Sequence, residues 1–276
     1  MTPAGLAGGA DARGGDAGTL LFGRYDAAAL LGMFEEAGVV EALGRRGFTD
    51  PGPRLDDAMG PLLHVRLDAW KDGARHALLD ACLTEASLDP GRLGAAVSSC
   101  SGAGKVHLLV VQWLREEDPT AEFEVGHPRL PLQEHPGLGI LKRAFRVALR
   151  LARESGKDGI AALPKYFHDA AIFHRSRLFL FVDPVEQGCF EALLRDLGDL
   201  SLGEASMALV RDEVRDQDGA LRRWTPGLQV MPLTDALVAV FHAPAWQEAC
   251  AAALASHRYR RVPCEDGGSG PAGPGA

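Results

Sequence analysis

The feature that most constrains the fold is one long apolar segment, KVHLLVVQWLREE, which spans Lys105–Glu117. Its central residues are continuously apolar and lack the polar alternation of a strand that has one face in solvent. Either face, if exposed, would leave apolar side chains in water, which is unfavourable. The segment therefore predicts a strand that is buried on both faces.

Shorter patterns predict an antiparallel hairpin before this strand and helices on either side of it. The hairpin strands are Pro61–Trp70 and Arg75–Leu88, joined by the turn sequence KDG. Helical spacing predicts helices at Asp26–Ala37, capped by Asp26 and ended by Gly38, and at Ile140–Glu154. The remaining elements up to Pro184 are a short helix ending near Arg46–Gly47, a strand at Asp158–Pro164, a helix at His168–Arg177 and a strand at Leu178–Pro184.

This order predicts an α+β (mixed α/β) fold, in which a central, mostly antiparallel sheet is flanked by helices. Residues 19–184 form the predicted main domain, and 185–263 a mostly helical C-terminal extension with helix breaks at Gly198, Gly203 and Pro244. Polar strands are expected around the Asp218-Gly219 turn. The segments 1–18 and 264–276 are rich in Gly, Ala and polar residues, and we expect both to be disordered tails.

Composition narrows the class of function. The net charge of −8 argues against a non-specific nucleic-acid binder, which needs a basic surface. The five cysteines contain no C-x-x-C pair, which disfavours a zinc site or a disulfide framework and predicts a reducing cytoplasm. No apolar run has the length of a membrane span, and the first residues do not have the pattern of a signal peptide.

The sequence QEHPGLGILK begins at Gln133 and places Gly137-Leu138-Gly139 directly before the longest predicted helix. The first turn of a helix has unpaired backbone N–H groups and a partial positive charge. Glycines at this point let an anionic ligand approach the backbone, so the segment predicts a phosphate cradle. The alternative is a plain turn that starts a helix, because a lone Gly-x-Gly is common.

The element order and this motif resemble the GNAT family of N-acyltransferases. The family signature, Gln/Arg-x-x-Gly-x-Gly/Ala at the start of the central helix, aligns with Glu134–Gly139, and both glycines match. The later segment HDAAIFHRSRLFLF has His168 where the family often has Asn, a matching Ala171 and the aromatic Phe173. The resemblance covers about residues 19–184.

The resemblance implies an acyl-CoA-dependent transfer, of acetyl or another acyl group, to an amine of a small molecule or a protein. In the family, backbone amides at the signature hold the coenzyme A pyrophosphate, and no metal is used. The implied cofactor-binding residues are Gln133, His135, Gly137, Leu138, Gly139 and Lys142. The implied catalytic residues are Glu116 as base and Tyr166 or His168 as proton donor. The distance of His168 from His174 along a helix makes a metal pair improbable.

Each of these roles has an alternative in which the residue is only structural. Glu116 at a strand end can be a solvated residue, and His168 can be a helix cap or a polar surface residue. The whole chain can also be a catalytically degenerate binding or regulatory module of the same fold. Glu134 in the signature, Pro136 with no N–H, and the long loop before the helix favour that alternative.

Overall fold

The computed structural model describes residues 19–59, 62–89, 104–124, 129–175 and 178–263, with the side chains of 57–59 left aside. The predicted tails, 1–18 and 264–276, lie outside these residues. The chain divides into two compact units. Unit 1 comprises Met1–Thr84, Gln112–Pro119 and Gly137–Ala148, and unit 2 comprises Glu85–Val111, Thr120–Pro136 and Leu149–Ala276.

Unit 1 begins with two short helices, α1 (Ala27–Glu36) and α2 (Val39–Gly44). The Asp26 side chain accepts the N–H of Ala29 at 2.7 Å and caps α1. Gly38 takes the left-handed conformation, with φ of 77°, and separates the two helices. The predicted cap and the predicted break are both confirmed.

Unit 1 contains the strands β1 (Thr49–Met59) and β2 (Leu62–Lys71) and most of β3 (Ala74–Leu88), and successive strands pair antiparallel. The predicted turn is confirmed, with positive φ at Asp72 and Gly73. Sequence patterns missed β1, because its prolines and polar residues do not read as a strand. Proline is tolerated there because β1 pairs only with β2 on one side and stands at the end of the strand order.

One face of these strands carries charged side chains that pair with each other. His64 Nε2 lies 2.8 Å from Asp80 Oδ1, and Trp113 Nε1 donates to the same oxygen at 2.7 Å. The buried Asp68 pairs with Arg54 and with Arg75. Burial raises the pKa of Asp80, but the bonds from Trp113 and His64 outweigh it and the net pKa is lowered.

Unit 2 contains the first part of β4 (Val106–Glu116), followed in strand order by β5 (Gly159–Ala162), β8 (Gln229–Pro232) and β6 (Leu180–Phe181). β4 and β5 pair in parallel, whereas β8 pairs antiparallel with both β5 and β6. The consecutive residues Leu108 and Leu109 are both buried, so β4 is covered on both faces at this point, whereas its second half is only partly buried.

The long helix α3 (Leu141–Glu154) has residues in both units, and the helices that follow it belong to unit 2. They are α4 (Phe167–His174), α5 (Pro184–Asp196), α6 (Leu202–Val210), α7 (Asp235–His242) and α8 (Pro244–Ser256). A two-stranded ribbon pairs β7 (Val214–Asp216) with β9 (Tyr259–Arg261). The expected helix break at Gly203 is wrong, because Ser201 and Glu204 form a capping box that starts α6 before it.

The predicted fold class is confirmed: the strand pairs are mostly antiparallel and helices flank them. The segment after Pro184 supplies four helices and also β8, which lies between β5 and β6. Within the described ranges, no helix has both the length and the apolar character needed to cross a bilayer.

Candidate functional site

The backbone N–H groups of the segment before α3 are directed at one point, which is occupied by the Glu116 carboxylate. The Ile140 N–H donates to Glu116 Oε2 at 3.2 Å. The amides of Gly139 and Leu138 also hydrogen-bond to this carboxylate. Three successive amides before α3 therefore bind an anion that the protein itself supplies.

The local sequence explains this shape. Leu138 and Ile140 are buried and anchor the segment, whereas Gly137 and Gly139 are exposed. Gly139 has φ of 65°, a left-handed conformation that favours glycine. A Cβ atom on Gly137 would lie 3.5 Å from Glu116 Oε1, in ordinary contact. The apolar side chains thus turn inward while the backbone amides are directed at Glu116.

Positive charge surrounds the carboxylate, yet burial has the larger effect. Arg46 acts on Glu116 electrostatically, and its Nη1 also lies 3.3 Å from Asp118 Oδ2. Burial nevertheless raises the pKa of Glu116 above its ordinary value, against the lowering effect of the amides and of Arg46. The site therefore holds the ionised carboxylate less favourably than water does.

The structure thus brings together residues for which the sequence predicted separate roles. Gly137, Leu138 and Gly139 were predicted to bind cofactor, and Glu116 to act as base; all four meet at one point in unit 1. Arg46 was not predicted, and no signal in its neighbourhood marks it. Lys142, at the second position of α3, is exposed.

The predicted residues Gln133 and His135 belong to unit 2. Gln133 makes its hydrogen bonds within the loop. Its side-chain Oε1 accepts the Leu130 N–H at 3.1 Å, and its backbone N–H donates to the Leu130 carbonyl oxygen. His135 is half-buried and Glu134 is exposed. Gln133 therefore closes a turn through its own side chain.

Tyr166 and His168 lie together at the start of α4 in unit 2, with stacked rings whose centroids are 5.5 Å apart. His168 is buried, so the surface interpretation of this residue is wrong. Its Nδ1 lies 2.9 Å from Ser206 Oγ, and its Nε2 lies 3.2 Å from Asp169 Oδ1. Burial lowers the pKa of His168 despite the nearby Asp169, so the ring is neutral at pH 7.

Among the described residues, no cluster of three or more His, Cys, Asp or Glu side chains could hold a metal ion. Cys82, Cys189 and Cys250 are free and buried.

No protein-family model matches the chain, and no curated protein matches it in sequence. Among solved structures, one similar chain is that of "AtaT complexed with acetyl-methionyl-tRNAfMet", at 14% sequence identity and a TM-score of 0.30. The match covers 55% of this chain and 74% of the other. A TM-score this low does not establish a shared fold.

Proposed function

We propose that the chain is an acyl-CoA-dependent N-acyltransferase, which transfers an acetyl or another acyl group to an amine. The observation that supports this is the convergence of the Leu138, Gly139 and Ile140 amides on one anion at the start of α3. Amides in this arrangement at a helix N-terminus bind phosphate groups. In the proposal, the coenzyme A diphosphate takes the place of the Glu116 carboxylate.

Glu116 is a weak occupant of this position. Its raised pKa means that burial costs the carboxylate more than the amides and Arg46 return. A diphosphate has more charge and more acceptor oxygens, so it competes well for the same donors. Glu116 then serves as a placeholder that leaves when the cofactor binds, and it is not the general base.

The proposed reaction needs little from the protein beyond binding and proton transfer. The amine nitrogen attacks the thioester carbonyl carbon, and the C–N bond forms as the C–S bond breaks. The amine loses a proton to solvent, and the coenzyme A thiolate gains one. Of the two predicted proton donors, His168 is disfavoured because its lowered pKa leaves it a poor acid, and Tyr166 stays a prediction from the sequence resemblance. A reducing cytoplasm, predicted from cysteine usage, remains part of the proposal.

A second candidate follows from the same contacts. If Glu116 never leaves, the amides are closed to cofactor and the chain is a non-catalytic binding or regulatory module. The absence of an N–H on Pro136, which removes one more donor, also favours this alternative.

Calorimetric titration with acetyl-CoA separates the two candidates. We compare wild type with Glu116→Ala, which removes the occupant, and with Glu122→Ala, a control that removes an exposed carboxylate of the same type. The acyltransferase proposal predicts that wild type binds and that Glu116→Ala binds about tenfold more tightly, since an internal competitor is lost. Glu122→Ala should bind like wild type.

Gly137→Asp gives the opposite test, because it adds a second carboxylate beside Glu116 and should abolish binding. Binding by Glu116→Ala but not by wild type would support the closed, non-catalytic module. If neither protein binds acetyl-CoA at millimolar concentration while circular dichroism shows both to be folded, the acyltransferase proposal is wrong.

A further inference from the structure

A cavity of about 620 Å³ lies wholly within unit 2 and takes no part in the site described above. Its walls come from the ends of α3 and α4, from α5, α7 and α8, and from β6 and β8. The volume falls in the usual range for small-molecule sites of about 300–1,000 Å³. The lining is mostly apolar, and its polar side chains are those of Arg153, His174, Glu191, His242 and Gln247.

His174 is held in a defined orientation. Its Nδ1 lies 3.3 Å from the Phe179 carbonyl oxygen, which can only accept a hydrogen bond. In the neutral ring Nδ1 therefore carries the proton, and Nε2 presents a lone pair. Nε2 and Glu191 Oε1 lie 3.9 Å apart, beyond hydrogen-bond distance. These two acceptors are close enough together for one donor to bridge them.

Glu191 is also fixed by its surroundings. Gln187 is fully buried, and its Oε1 accepts the Phe181 N–H at 2.8 Å. Its Nε2 then donates to Glu191 Oε1 at 2.8 Å. This relay ties the carboxylate to the backbone of β6, so its position does not depend on a ligand.

Two aromatic side chains of the cavity lining, Phe241 and Trp246, offer no polar atom to a ligand. Phe241 and Trp246 pack edge to face, with ring centroids 5.5 Å apart. The one polar atom of the pair, Trp246 Nε1, is already bonded to the Val182 carbonyl oxygen at 3.1 Å. Leu149, Leu180 and Met231 continue this apolar surface. Aromatic faces of this kind also attract organic cations.

We infer that this cavity binds an organic ammonium ion with an apolar tail, whose N–H groups bridge Glu191 and His174 and whose tail lies along Phe241 and Trp246. Other ionisable groups lining the cavity are Arg153, His242 and Cys250. Arg153 and His242 are exposed, at the solvent side, whereas the relay holds Glu191 at the polar end. A cation is therefore favoured over an anion at that end. The inference does not depend on the proposed acyl transfer.

Calorimetric titration with three probes of equal chain length tests this. Octylammonium, octanol and octanoate are titrated below their aggregation concentrations into the full chain. Octylammonium should bind with about tenfold or greater preference over the other two, because it alone donates charge-assisted bonds to both acceptors. Glu191→Gln should remove that preference and weaken octylammonium binding by about tenfold or more. Glu248→Gln, which removes an exposed carboxylate from the same helix that carries Trp246, should change nothing.

The position of the ligand is tested by filling the cavity. Ala251 lines it yet is exposed, so Ala251→Trp can block the opening without disturbing the core. This variant should bind none of the probes and should unfold at the wild-type temperature. The inference is overturned if octanoate binds as well as octylammonium, if no probe binds wild type, or if Ala251→Trp keeps full affinity.

Discussion

Two glutamates, one in each unit, show two ways of holding a carboxylate in a protein. Glu116 is surrounded by three backbone amides of one short segment, so its acceptor oxygens are already used. Glu191 receives one side-chain bond, from Gln187, and faces an imidazole nitrogen that is itself an acceptor. The first carboxylate has donors from three amides, whereas the second has one donor and makes no hydrogen bond with the imidazole that faces it.

The difference teaches that the two sites depend on different kinds of structure. The amides around Glu116 come from a glycine turn and the helix that it starts, which are local features. The surroundings of Glu191 come from α5, α7 and α8, whose side chains meet only when these helices pack. Disturbing helix packing in unit 2 should therefore affect Glu191 and spare Glu116.

Gly188→Ala should have the largest effect. A Cβ atom at this position would lie 2.6 Å from the Ala253 Cβ and 2.8 Å from the Leu254 nitrogen, which is backbone. We expect a loss of about 3 kcal/mol in the free energy of unfolding, because α5 and α8 must move apart. Urea denaturation measures it, and octylammonium binding at Glu191 should be lost in the same variant.

Gly32→Ala is the matched control, since its new Cβ atom has no neighbour within 4 Å in the middle of α1. It should raise the free energy of unfolding by about 0.5–1 kcal/mol through helix propensity. Equal destabilisation by the two variants would contradict the close packing of α5 on α8.

The pH dependence of stability should show a smaller effect at Glu116. A carboxyl group whose pKa is raised in the folded state stabilises the fold below its unfolded pKa, and this stability is lost as pH rises through the folded pKa. Between the ordinary pKa of 4.5 and the higher folded value, wild type should therefore lose stability relative to Glu116→Gln. Urea denaturation from pH 4 to pH 8 measures the difference, which we expect to be about 1 kcal/mol or less.

For Asp80, in the same unit, the pH dependence of stability should have the opposite sign, and Asp80→Asn tests this. The pKa of Asp80 is lowered, so its stabilisation is present above the unfolded pKa and is lost as pH falls through the folded pKa. As the pH rises, the free energy of unfolding of wild type should therefore increase relative to that of Asp80→Asn. If the free energy of unfolding, relative to wild type, has the same pH dependence in Glu116→Gln and in Asp80→Asn, the two carboxylates do not differ in this way.

The smallest expected effect is on Cys250, which lines the cavity near Glu191. Burial, the Glu191 charge and a Cys189 thiolate raise its pKa from 9.0 to about 11. Glu191→Gln should move the pKa of Cys250 part of the way back, since burial remains. The measurement is the pH dependence of iodoacetamide modification, with the modified cysteine located by mass spectrometry. An unchanged pKa would place Glu191 too far away to act on this wall.

Much of the fold was predictable because it depends on local patterns. The Asp26 cap, the Asp72-Gly73 turn, the buried run of β4 and the Pro244 boundary each leave a signal within a few residues. β1 was missed because an end strand tolerates prolines that usually exclude a strand. β8 was expected only as a polar strand near a turn, and its place between β5 and β6 depends on residues far apart in the chain.

The candidate site was predictable only in part, for the same reason. The glycine turn and the helix start identified the amides, because both are local. Nothing in the sequence indicated that Glu116, 24 residues before Ile140, would bind them. Likewise, no pattern places His174 beside Glu191, since their approach depends on how α4 and α5 pack.

By itself, the sequence determined most of the helices and strands, where many of them end, and where unpaired N–H groups gather before α3. Only the tertiary structure decided that Glu116 occupies those groups and that Glu191 is left facing another acceptor. Hydrogen bonding within a turn or helix is encoded by neighbouring residues. The meeting of side chains from distant segments is set by packing of the whole unit, which no short stretch specifies.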